Sequence, residues 1–361
     1  MNSSFHGIPF YPFVILIKMV VMNGGIDCKR LIVFLCFLLR SIAMEPFRLV
    51  EHYVYRKKIA SHKLNKDPIF VLGHWRSGTT YLQSLLCCDP CIATNSIFRG
   101  IFSDSYFLTE KWLNSSINWL CRILKIRYLI QRSFLNLNLP AELDLALCFC
   151  GSSHAYSWGY LFPRFFLKQF EEKVIFHDEK KLEEWLVDYD YLIRKLSYWS
   201  NGRRILVKSP GDTARLVHLI KLYPDAKFIF IYRDPISVYY SNKYLWSVVQ
   251  GYISLQLLNE QEIDQLILHV YPQLLTRYLA ERESVPCHQL IEINYISLRS
   301  DPVAMLKQIY KQLDLGNFPL VQIKEYLQLE DVYEDTKYIT TIEEEKLLRE
   351  RWAFSFDEWF S

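Results

Sequence analysis

The chain has 361 residues, enough for one large α/β domain or two smaller ones, and 51% of them are apolar. That share, with 24 Tyr and 23 Phe, excludes disorder over most of the length. A net charge of +3 gives no global electrostatic case for nucleic acid as a partner, and leaves room only for local basic sites that hold small anions.

Two apolar stretches, Ile8 to Met22 and Leu31 to Leu39, open the chain. Lys18 interrupts the first, Asp27-Cys28-Lys29-Arg30 separates the two, and each is shorter than the roughly 20 residues a spanning helix needs. The first 17 residues hold no Lys or Arg, which argues against a secretory signal. Three readings stay open: a helical hairpin packed on the core, a membrane-surface element with Lys29, Arg30 and Arg40 at headgroups, or a transmembrane anchor. The second makes residues 8–40 a peripheral membrane contact of an otherwise cytoplasmic protein. The nine cysteines, bunched at Cys87, Cys88 and Cys91 and again at Cys148 and Cys150, form no paired CxxC framework and are expected as reduced structural thiols.

Glu51 to Lys66 is charged and reads as a surface helix feeding the first strand. Ile69 to Leu72 is a short apolar run that predicts a buried strand, followed by Gly73, four residues, Gly78 and the pair Thr79-Thr80. A helix from Tyr81 to Cys88 should follow, stopped near Asp89-Pro90. Ile92 to Leu139 reads as irregular helix, and Pro140 sits well at the first turn of a new one. Phe170 to Leu196 is predicted as an amphipathic helix with Glu171, Glu172, Glu183 and Glu184 on its solvated face. Arg204 to Lys208 predicts a strand, with Ser209-Pro210-Gly211 as a turn and Asp212 as N-cap of a helix from Thr213 to Leu222. Lys227 to Tyr232 is a continuous apolar strand of the kind buried on both faces, and Arg233-Asp234-Pro235 opens another helix. Leu290 to Tyr295 is the last strand, Asp301-Pro302 caps a helix to Leu313, and a helical tail begins near Glu343. Strand, helix, strand, helix predicts a three-layer, P-loop-like α/β fold with a central, mainly parallel sheet flanked by helices.

Strand, glycine loop and helix is the order of a phosphate cradle, because glycines let backbone N–H groups converge while the next helix aims its unpaired amides at the same spot. A Walker A loop would carry Lys where Thr79 stands, so positive charge must come from Arg76. Gly73-His74-Trp75-Arg76-Ser77-Gly78-Thr79-Thr80 resembles the 5′-phosphosulfate loop of sulfotransferases that use 3′-phosphoadenosine 5′-phosphosulfate (PAPS), in the branch with Arg-Ser-Gly-Thr-Thr typical of bacterial and Golgi members. The segment FIFIYRDPISVYYS is similar to that family's 3′-phosphate clamp, which assigns Arg233 and Ser241 to it. The resemblance covers Asp67 to the carboxyl terminus.

What the resemblance implies is transfer of a sulfuryl group from PAPS to a hydroxyl of a small-molecule, lipid or carbohydrate acceptor. Arg76, Ser77, Gly78, Thr79 and Thr80 would hold the 5′-phosphosulfate. Lys208, followed by Ser209-Pro210, resembles the lysine of the tyrosylprotein and carbohydrate branches and would touch the transferring group. Pro140-Ala141-Glu142-Leu143-Asp144 is similar to a Pro-x-Glu-Asp-Glu motif of bacterial members and nominates Glu142 as base, although Leu143 and Asp144 depart from that motif. Cytosolic members use a histidine, so His154 and then His74 compete with it. Lys337 is the stand-in for a basic loop over the nucleotide. No metal constellation is visible, and the family requires none. Residues 1–60 would be an apolar helical segment attached to a catalytic domain of 61–361. Two rivals remain: a P-loop kinase or nucleotide hydrolase, against which Thr79 argues, and a non-catalytic membrane-surface binding protein of the same fold.

Overall fold

In the computed structural model, which describes residues 12–125, 127–128, 133–329 and 340–360, the apolar run Ile69–Leu72 forms strand β1 with all four residues buried. With Ile92–Thr94 (β2), Arg204–Lys208 (β3), Lys227–Tyr232 (β4) and Leu290–Asn294 (β5) it makes a five-stranded sheet of order β2-β3-β1-β4-β5. Strand β1 runs parallel to β3, with Val71 opposite Lys208, and to β4, with Leu72 opposite Phe230. β4 runs parallel to β5, with Tyr232 opposite Asn294. Because these four strands are parallel, their carboxyl ends share one edge, where open α/β sheets collect ligands. Gly73, Lys208, Arg233 and Tyr295 stand at or just beyond those ends.

Cα packing divides the chain into two compact units, one of Met1–Asn65, Thr94–Arg203 and Leu245–Glu262, the other of Lys66–Ala93, Arg204–Tyr244 and Ile263–Ser361. The second holds nearly all of the sheet. Alternation along its strands sorts side chains to two faces. Ile69, Val71, Ile229, Ile231, Ile291 and Ile293 join Leu82 and Leu85 of the Thr79–Leu86 helix and Leu306, Ile309 and Leu313 of the Pro302–Leu313 helix in one core. On the opposite face Phe70 stacks on Phe228 at 5.4 Å, and Phe230 stacks at 3.9 Å on Tyr278 of the Glu260–Glu281 helix. Helices on both faces make the three-layer α/β architecture.

The first unit is helical, built on Pro12–Met22, Leu31–Ser61 and Glu179–Trp199. Glu51 and Lys195 form an ion pair inside it, with both side chains almost fully buried. The Phe107 N–H donates to Glu51 Oε2 at 2.8 Å, and the Lys195 ammonium lies 4.5 Å from the Tyr106 ring centroid, so neither charge is left uncompensated. Among the described residues, no helix is long and apolar enough to cross a membrane. All nine cysteines are free thiols.

Several expected boundaries move. Glu51 does not begin a surface helix: Leu31–Ser61 is one helix of 31 residues that turns Arg48 and Glu51 inward. Ile92–Thr94 is a strand rather than the start of helix. The predicted helix over Phe170 to Leu196 is broken at Phe176, whose φ of 55° lies in the left-handed region, and resumes at Glu179 under an Asp178 cap. Glu184 does not face solvent alone, since its carboxylate meets His154 Nε2 at 3.0 Å. Pro210–Ala214 is a 3-10 turn, with the helix starting only at Leu216. Asp212 cannot cap there because its carboxylate pairs with the fully buried Arg215 at 3.0 Å. The helix expected from Pro140 starts at Leu143, because Pro140 is held in a bridge to Ser96.

Candidate active site

The loop after β1 takes, at two positions, a backbone geometry that only glycine tolerates. Gly73 has φ 141°, and a Cβ there would lie 2.5 Å from the Ile231 carbonyl oxygen. Gly78 has φ 103°, and its Cβ would fall on the Tyr295 ring, 2.8 Å from Cε2. Between them Arg76 itself takes a left-handed φ of 71°, a strained backbone held by its neighbours. The Ser77 N–H and Oγ both donate to the His74 carbonyl, at 3.1 and 2.8 Å, closing the turn. Thr213 clamps its start: the Gly73 N–H donates to Thr213 Oγ1 at 2.8 Å, and that hydroxyl donates to the Gly73 carbonyl at 3.2 Å. The Thr79–Leu86 helix then begins on Gly78, so its first amides open at the loop. At either glycine the loop leaves no space for a side chain.

Cations stand on the same edge. The Arg76 Nε–H donates to Ser241 Oγ at 2.8 Å, joining the loop to the Pro235–Tyr252 helix. From the next residue, Asn242 donates to the Trp75 carbonyl at 3.0 Å, so this helix holds the loop at two adjacent residues. That helix starts where expected, with the Asp234 carboxylate accepting from the Ser237 N–H at 2.8 Å and Pro235 in its first turn. The Arg233 guanidinium lies over the Tyr295 ring, 4.4 Å from its centroid. Tyr295 thus lies under Arg233 and against Gly78 at once. Lys208 is buried at the end of β3. Of the residues expected to hold the nucleotide, Arg76 through Thr80, Arg233 and Ser241 all lie in this unit with Lys208, whereas Lys337 lies outside the described residues.

His74 is not built for proton transfer. Its ring is buried between Trp75 and Tyr271, 4.9 Å from the latter, its Nδ1 bonds to the Trp75 carbonyl, and burial lowers its pKa to about 4. Among the described residues no group of three or more His, Cys, Asp or Glu is gathered to hold a metal ion.

The acidic candidates belong to the first unit. Glu142 has extended backbone at the N-cap of the Leu143–Phe149 helix without capping it. Its Oε2 accepts instead from the Tyr156 hydroxyl at 3.1 Å. Asp144 is fully buried and accepts from the Ser157 N–H and Oγ at 2.9 and 2.7 Å, which fixes the segment that carries Tyr156. His154 is occupied on both ring nitrogens, by Glu184 at 3.0 Å and Asp188 at 3.3 Å. Sequence reasoning missed Tyr295, Thr213, Asn242 and Tyr156. Tyr295 had a signal, its place at the carboxyl end of the last parallel strand; the others had none.

The family model described as Sulfotransferase family matches residues 68–319. Two curated relatives, the omega-hydroxy-beta-dihydromenaquinone-9 sulfotransferases Stf3 of Mycobacterium bovis and of Mycobacterium tuberculosis, are each 27% identical over 315 residues, covering 86% of this chain and 79% of theirs. Among solved structures, the chain is similar to sulfotransferase STF9 from Mycobacterium avium, with TM-score 0.73 and 17% identity over 99% of this chain and 98% of that one. It is also similar to sulfotransferase STF1 from Mycobacterium tuberculosis, with TM-score 0.66 and 17% identity over 95% of this chain and 91% of that one. These two likenesses show the fold.

Proposed function

The chain belongs to the sulfotransferase family, and from that premise we propose that this sulfotransferase moves a sulfuryl group from PAPS to a hydroxyl of a lipophilic acceptor by direct in-line transfer. One observation carries the donor assignment: a loop that admits only glycine at Gly73 and Gly78 shares its sheet edge with Arg76, Arg233 and Lys208. PAPS supplies a sulfate joined to phosphate, whose cleavage leaves charge on a phosphate oxygen. In this proposal Arg76 and the amides of Ser77 to Thr80 hold the 5′-phosphosulfate. Lys208 stabilises the charge that develops on the departing oxygen. Arg233 and Ser241 hold the 3′-phosphate, the group that ATP lacks, and Lys337 covers the nucleotide. Glu142 takes the acceptor's proton, oriented by Tyr156.

The name of the mycobacterial relatives gives a hydroxylated menaquinone as their substrate, which supports a lipophilic hydroxyl here over a carbohydrate. Residues 61–361 as catalytic domain with 1–60 attached, a cytoplasmic location and peripheral membrane contact through residues 8–40 belong to the same proposal. The test is incubation with labelled PAPS and a panel of prenyl alcohols, sterols and oligosaccharides, beside thermal melts with adenosine 3′,5′-bisphosphate. Label is expected on a lipophilic alcohol, with transfer abolished by Arg76→Ala and by Arg233→Ala. Transfer that survives both substitutions overturns the site. Stabilisation by ATP with magnesium but not by the bisphosphate overturns the donor.

A further inference from the structure

The Leu31–Ser61 helix is inside out. Three polar residues, Ser41, Arg48 and Glu51, are buried beside Phe34 and Ile59, while Ile32, Leu35, Leu39, Ile42, Val50 and Tyr53 are exposed, Ile32 at 75%, Leu39 at 65% and Tyr53 at 89%. Their spacing of three and four residues puts them on one face. From Ile32 to Tyr53 that stripe is about 32 Å long at 1.5 Å per residue. No charged residue is exposed between Leu31 and Tyr53. The Phe47 ring packs on Trp112 at 6.0 Å, and Trp112 is exposed, as are Trp119, Leu120, Ile123 and Leu124 in the helical segment that follows. Soluble monomers rarely leave so much contiguous apolar surface uncovered.

Among the described residues of 12–61 and 110–125, the charged side chains that are exposed are all Lys or Arg. Every carboxylate on the described residues from Pro12 to Ser61 is committed: Asp27 to Arg164 at 2.8 Å, Glu45 to Arg48, and Glu51 to Lys195. Glu110, beside Trp112, pairs with Arg99 at 2.7 Å. Lys18, Lys29, Lys57, Lys111, Arg122 and Lys125 are exposed, with Lys29 before the stripe and Lys57 after it. Exposed lysines are depleted in protein–protein interfaces. Apolar stripes with exposed Trp and flanking Lys and Arg are what in-plane membrane elements carry.

We propose that the outer face of Leu31–Ser61, with Trp112 and the Trp119–Leu124 surface, lies flat on an anionic lipid bilayer. This extends the peripheral contact proposed above, shifting it from residues 8–40 toward 31–54 and 112–124, and it does not depend on the sulfuryl-transfer assignment. The Lys and Arg side chains meet lipid phosphates while the apolar stripe enters the headgroup boundary.

The full chain is sedimented with vesicles of phosphatidylcholine alone and of phosphatidylcholine mixed with phosphatidylglycerol, and in parallel quenched with brominated phosphatidylcholine. Expected are pelleting with the anionic vesicles that weakens as salt is added, and tryptophan quenching that drops in Trp112→Phe/Trp119→Phe. Ile32→Glu/Leu39→Glu and Trp119→Glu/Ile123→Glu should each lower partitioning at least tenfold while leaving the bisphosphate melting shift intact, which reads the other unit. Ile32→Ser/Leu39→Ser repeats the test with milder changes. Wild-type protein that stays in the supernatant, folded glutamate variants that pellet like wild type, or a wild-type dimer that these variants turn into monomer would each overturn the proposal. Loss of the bisphosphate shift in wild type, with vesicle binding kept, would sink the donor reading alone.

Discussion

Gly78→Ala is the most direct probe of the loop, because two costs fall on one methyl group. At φ 103° an L side chain is strained by about 1–3 kcal/mol. The new Cβ also lands on the Tyr295 ring, which cannot retreat freely because it is buried and carries Arg233 at 4.4 Å on its face. Overpacking of that kind costs about 1–3 kcal/mol. The sum, roughly 2–6 kcal/mol, set against an unfolding entropy of about 0.76 kcal/mol/K for the whole chain, lowers Tm by about 3–8 °C. Displacing Tyr295 should also move Arg233, so the stabilisation by adenosine 3′,5′-bisphosphate should shrink or vanish. Differential scanning fluorimetry with and without the bisphosphate reads both effects. Gly251→Ala is the control: it lies in the Pro235–Tyr252 helix with nothing within 4 Å of its Cβ position, and should be neutral or stabilising by about 0.5–1 kcal/mol. A Gly78→Ala protein that melts with wild type and keeps the full bisphosphate shift would refute the cradle.

Arg76→Ala removes a charged donor and should weaken bisphosphate binding by about 1.5–3 kcal/mol, roughly 10- to 150-fold in Kd by isothermal titration, with Ser241→Ala costing about 0.5–1.5 kcal/mol. Glu142→Gln should keep bisphosphate affinity and lose transfer by about 10²- to 10⁴-fold, and Tyr156→Phe should give a smaller loss in kcat with KM for the donor unchanged, measured by initial rates. His74 is buried with its pKa lowered to about 4 against an unfolded value near 6.5, so the unfolded chain binds its proton first as pH falls. The stability it contributes is full above pH 6.5 and lost between there and about 4, up to roughly 3 kcal/mol; Tm should fall over that range in wild type and less steeply in His74→Asn, which keeps a donor near the Trp75 carbonyl.

Sequence reading was strongest where one physical force dominates. The runs that became β1, β3 and β4 were placed to the residue, because a strand buried on both faces is continuously apolar and bounded by turn residues. Strand β2 escaped because Ile-Ala-Thr is too short to show any period. Phe176 escaped for the opposite reason: a left-handed bend at a phenylalanine, with neither glycine nor proline beside it, is imposed by packing against Trp185, whose ring lies 5.5 Å away. The Leu31–Ser61 helix is the most instructive case. The sequence showed only an apolar stretch at Leu31 to Leu39 and a charged surface helix from Glu51, and neither says that one helix runs through both or which face points inward. Glu51 and Lys195 decide it, and they are 144 positions apart.

The same distinction runs through the site. Gly73, Gly78 and the strand-end Arg233 were legible because backbone geometry and parallel topology act locally or by rule. The bond from Arg76 to Ser241 spans 165 positions, and no spacing reveals it. It changes the physical picture of the two groups, which the sequence treats as separate seats for two phosphates. With Arg76 bonded to Ser241, and Tyr295 touching both Gly78 and Arg233, each seat of the proposed site would be built partly from the other's residues. On that proposal, filling one seat disturbs the other, so the two phosphates of a single nucleotide should be recognised together, and a ligand carrying only one of them should recover less than half of the binding free energy.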